Sequence, residues 1–116
     1  MSYEKAQRHL EPVRAHLEKL KVLHISTAYM SQNEREPSVI FNLDAEYIGA
    51  YLRDDKLVVM MKFDDKKVDY MHLDVAYEGI RERTKKILIN HFPELKPDDL
   101  SIYVVESSGN IADVDW

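Results

Sequence analysis

No cysteine occurs in this sequence. That excludes disulfides and thiolate metal sites, and it fits a reducing compartment. Glycine is scarce: Gly49, Gly79 and Gly109 stand far apart. Phosphate-cradling loops need clustered glycines, so nucleotide-binding loops are excluded. No Gly-x-Ser-x-Gly elbow, no His-Glu-x-x-His and no Asp-x-Asp-x-Asp-Gly loop is present, and no two histidines stand four apart. These absences argue against that hydrolase type and against the common zinc and calcium sites, and no cofactor or metal is expected. The longest apolar run, Leu57–Met61, is far shorter than the ~20 residues of a membrane span. Met1-Ser2-Tyr3-Glu4-Lys5 has no apolar signal core, so the expected location is cytoplasmic. An excess of basic residues is missing too. Sixteen Lys and Arg against 21 Asp and Glu give a net charge of -5, which disfavours a nucleic-acid partner.

What remains is a chain of 116 residues, enough for a single domain over 1–116 with an ordinary core. In residues 3–20, Tyr3, Ala6, Leu10, Val13, Leu17 and Leu20 recur at threes and fours and predict a helix. Pro12 predicts a kink or a fresh start within it. Val22–Met30 reads as a strand, and the polar stretch 31–38 as a loop. Residues 39–52 support two readings. Val39, Phe41 and Leu43 alternate as a strand does, while Tyr47, Ile48, Tyr51 and Leu52 share a helical face.

Leu57–Val75 reads as a β-hairpin turning at 64–67. Phe63 then faces Val68, Met61 faces Tyr70, Val59 faces His72, and Lys62 pairs with Asp69. Residues 76–92 read as a second helix with an inner stripe of Tyr77, Ile80, Ile87, Leu88 and His91. Residues 101–106 and 111–116 read as a final strand pair, with Tyr103, Val105, Ala112, Val114 and Trp116 on one face. The expected fold is therefore α+β: a single antiparallel sheet of five or six strands with two main helices packed on one face.

Two functional readings follow. In the first, the helices cover Val58, Met60, Met71 and Leu73, and the other hairpin face stays bare. Val59, Met61, Phe63, Tyr70 and His72 then form an apolar interaction face, with the 31–38 loop as a second contact. The protein is then a non-enzymatic interaction or regulatory domain. Its partner is another protein, and the chain self-associates, a homodimer being the simplest form, through a sheet face or edge.

The second reading is a small-ligand or acid/base pocket built from His24, Tyr70, His72 and Asp74. A histidine held by an aspartate beside a tyrosine can move protons. The simpler account makes His72 a satisfied core residue and Asp74 a helix cap. His9 and His16 are read as partly exposed helix residues too far apart to chelate. Asp54-Asp55, Asp64-Asp65 and Asp98-Asp99 are read as turn residues rather than as a phosphate mimic, because lysines sit beside the first two pairs.

Overall fold

A computed structural model describes residues 3–30, 37–68, 72–108 and 111–112, with the side chains of 27–30, 37–41 and 111–112 left aside. Among the described residues the fold is α+β, with two α-helices and a single sheet. In chain order the elements are α1 (Tyr3–Leu20), β1 (Val22–Met30), β2 (Pro37–Arg53), β3 (Lys56–Phe63), α2 (Leu73–His91), β4 (Leu100–Glu106) and β5 (Ile111–Ala112). The sheet order is β1-β2-β3-β4-β5. Four strands are long and the fifth has two residues.

α1 forms where its stripe predicts it. Ala6, Val13 and Leu17 are buried, with His9 beside them. Glu4 in the first turn and Lys19 in the last suit the helix dipole. The helix runs through Pro12 without a new start. It ends on Lys21, whose φ of 61 is left-handed and whose amide reaches the Leu17 carbonyl at 2.7 Å. The Lys21 carbonyl then accepts from Tyr47 and leads into β1.

The two readings of 39–52 resolve as one long strand. Leu43, Ala45 and Tyr47 point into the core, while Asn42, Asp44 and Glu46 point out. A bulge then shifts the register: Tyr47 opposes Met61, but Gly49 opposes Met60. The extra residue moves Ala50 back to the inside. That break in alternation is what imitates a helical period in the sequence. Arg14 of α1 fixes the spot by donating from Nε and Nη2 to the Ala50 carbonyl at 3.0 and 2.8 Å.

The expected 57–75 hairpin does not form. β3 pairs with β2 on one side and with β4 on the other, so both its edges are taken. The β3–β4 pairing is parallel, which corrects the all-antiparallel expectation. A parallel neighbour requires a crossover, and α2 is that crossover. After Phe63 the chain turns through a 3-10 segment at 65–67, with Asp64 Oδ1 accepting from the Lys66 amide at 3.1 Å. Leu73 starts the helix rather than ending a strand. With Ala76, Ile80, Thr84 and Leu88 it repeats at threes and fours. Residues 69–71, which include Tyr70 and the Lys62–Asp69 pairing, lie outside the described residues.

At the far end, Val104 opposes Ala112 and Val105 opposes Ile111, one step from the expected register. The rest of that predicted strand, 113–116, lies outside the described residues, as do 31–36 of the predicted loop. Asp99 ties α1 to the start of β4. Its Oδ2 accepts from Lys5 Nζ at 3.1 Å and from the Lys96 amide at 2.9 Å. Burial alone would raise the Asp99 pKa, but the Lys96 amide and the Lys5 ammonium hold it below the ordinary value.

Candidate protein-interaction surface

The two faces of β3 have opposite environments. Leu57, Val59, Met61 and Phe63 are at most 2 % exposed and belong to the core cluster with Val13, Leu17, Ile80 and Leu88 from the helices. Phe63 meets Tyr77 of α2 edge to face at 5.4 Å between ring centres. The expected interaction face is thus inverted: Val59, Met61 and Phe63 lie beneath both helices and present no surface. Alternation alone fixes which residues share a face, not which face the helices choose.

The opposite face carries Val58, Met60 and Lys62. Across β2 they oppose Tyr51, Gly49 and Glu46, and across β4 they oppose Ser101, Tyr103 and Val105. Val58 is 1 % exposed yet lies outside the helix-covered core cluster. Met60, Tyr51, Tyr103 and Val105 are half-buried, and Ile48, displaced by the bulge, is exposed. Among the described residues neither helix packs on this side. The result is a continuous apolar and aromatic plate across β2, β3 and β4.

Charged residues bound the plate along the strands. Arg53 and Lys56 oppose each other at one end. There Arg53 Nη1 donates to the Tyr103 hydroxyl at 3.1 Å. Glu46 and Lys62 oppose each other at the other end, with Asp44 just beyond on β2. Each end holds a recess: about 270 Å³ beside Arg53, Lys56 and Tyr103, and about 260 Å³ beside Val22, Asp44, Glu46 and Lys62.

Of the second expected site, Tyr70 lies outside the described residues, and His24 finds a partner elsewhere. His24 Nδ1 meets Asp44 Oδ1 at 2.5 Å across β1 and β2, and its side chain is 83 % exposed. Asp74 sits in the first turn of α2 and His72 at the N-cap position, where its side chain makes no capping bond. The expected histidine–aspartate pair was His72 with Asp74, whereas the pair the structure shows is His24 with Asp44. An exposed pair of this kind lacks the enclosure that tunes an acid/base group.

The sequence also understated a histidine cluster on the helix side. His9 is 8 % exposed, with Nδ1 at 2.8 Å from the Lys5 carbonyl and Nε2 at 3.2 Å from Glu94 Oε2. His16 stacks on His91 at 3.7 Å between ring centres, and Phe92 meets both edge-on. Burial, His91 and Lys19 together lower the His16 pKa below its ordinary value. Two parallel stacked rings direct their nitrogen lone pairs side by side rather than at one point. Among the described residues no group of three potential ligands could hold a metal. The cluster clamps α1 to the end of α2.

Asp64, Asp65 and Asp99 act as turn and cap residues. Ser108 donates its amide to Asp65 Oδ1 at 3.0 Å, and Asp54 takes the left-handed turn position with φ of 54. Among the described residues no helix is long and apolar enough to cross a membrane. Comparison with models of known families, with curated proteins and with solved structures gave no match.

Proposed function

We propose that this chain is a non-enzymatic protein-interaction domain that self-associates through the open face of its sheet. The observation that carries this reading is the apolar plate of Tyr51, Val58, Met60, Tyr103 and Val105, which has no helix against it among the described residues. A two-layer α/β domain normally leaves such a face polar, because alternating strands put polar residues toward water. β1 and the start of β2 follow that rule with His24, Ser26, Asn42 and Asp44. The centre of the sheet breaks it.

Tyrosine suits this role, since it buries a large ring and keeps a polar edge. The plate measures about 24 Å along the strands and about 14 Å across three of them, from ordinary strand rise and spacing. That footprint, about 340 Å² per copy, is below the ~600 Å² per partner of the smaller standard interfaces, so the association is weak, with a Kd on the order of 0.1 mM.

Sedimentation equilibrium of the wild type and of Met60→Asp tests the reading. The wild type is expected to pass from monomer to dimer as concentration rises, and Met60→Asp to stay monomeric while keeping its fold. A wild type that stays monomeric at millimolar concentration would contradict self-association.

A further inference from the structure

The charges around the plate select one way for two copies to meet. Its two ends differ in sign: Arg53 and Lys56 at one, Glu46 and Asp44 with a single Lys62 at the other. The Asp54-Asp55 turn joins β2 to β3 at the Arg53 end, where Asp54 lines the same recess as Arg53 and Lys56 and offsets part of their charge. Two sheets packed face to face are related by a two-fold axis lying in the plane between them. If the axis runs along the strands, like ends meet and the Arg53–Lys56 end lies against the same end of the other copy. If it runs across the strands, opposite ends meet.

We infer that this protein forms a head-to-tail, face-to-face dimer in which Arg53 of each copy lies against the partner's Glu46. This inference rests on the interaction reading above and adds the orientation. On β2 the two residues lie on either side of the Ile48-Gly49 bulge, so an axis through the bulge exchanges them. On β3 the same axis passes between Val58 and Met60, which places each against the other's counterpart at the dry centre of the contact. The recess beside Val22 and Glu46 then faces the partner's Arg53, and the recess beside Tyr103 faces the partner's Glu46. The same axis also sets Lys56 against the partner's Lys62 on β3, so the orientation rests on the two Arg53–Glu46 contacts, which the reversed arrangement lacks.

Charge reversal separates the possibilities. Arg53→Glu and Glu46→Arg are made singly, together in one chain, and as an equimolar mixture of the two single variants. Sedimentation at low salt reads the dimer Kd, with Met60→Asp run alongside. Each single variant is expected to weaken the dimer about tenfold, since two symmetry-related contacts become repulsive. The double variant and the mixture are both expected to return to the wild-type Kd, because each restores opposite charges at both contacts. If the single variants dimerise like the wild type while Met60→Asp does not, the orientation is overturned and the interface stands. If the dimer survives Met60→Asp, the sheet face is not the interface and the underlying reading falls with the inference.

Discussion

Met60 and Met61 are adjacent in sequence and lie on opposite sides of the sheet. Met61 is fully buried beneath the helices, whereas Met60 is half-buried on the face that neither helix covers. One strand therefore carries a core residue and an interface residue side by side. The same substitution at the two positions should report two different properties of the molecule.

Met61→Ala is expected to destabilise the monomer by about 2–5 kcal/mol, because it opens a cavity among fully buried neighbours. Met60→Ala is expected to cost the monomer about 1 kcal/mol or less and to weaken self-association instead. Urea denaturation at low protein concentration checks both, since dissociation no longer contributes there. Equal losses at the two positions would contradict the assignment of faces.

The pairing of core and plate was only half legible in the sequence. Alternation along 57–63 separates Leu57, Val59, Met61 and Phe63 from Val58, Met60 and Lys62, and that partition holds. Both sets are mostly apolar, so hydrophobicity could not say which one the helices would choose. Reading Leu73 and Asp74 as the end of a returning strand compounded this. A short apolar run suits a strand or the first turn of a helix equally, and Leu73 belongs to the helical stripe that continues through Ala76 and Ile80. Once a hairpin is assumed, β3 has no edge left for β4, and the parallel pairing disappears from view. The bounds of α1 and β1 were legible to the residue, α1 from its apolar period and β1 from its β-branched and aromatic run.

Lys21 occupies a left-handed position at the end of α1, with φ of 61. A side chain there crowds the following carbonyl, and glycine is the residue that tolerates it. Lys21→Gly should keep the 2.7 Å bond to the Leu17 carbonyl and raise stability by about 0.5–1 kcal/mol. Thermal unfolding checks the sign, and a fall in Tm would contradict this account of the helix end.

The His16–His91 stack makes stability depend on pH. The His16 pKa is lowered by burial, by His91 and by Lys19, so the folded protein holds this proton less tightly than the unfolded chain does. The contribution is complete above about pH 6.5, the unfolded value, and is lost as pH falls through the lower folded value. Urea midpoints between pH 8 and pH 5 should therefore decrease, and His16→Phe should flatten the decrease. A His16→Phe variant with the wild-type pH profile would contradict the link.

The most direct test of self-association through the open face is a dilution series followed by methionine-methyl NMR. The Met60 methyl group is expected to shift with concentration, from a dimer value at millimolar protein to a monomer value at micromolar protein. Met61, one residue away and sealed in the core, is expected to stay still. A Met60 resonance that does not move across that range would contradict the account.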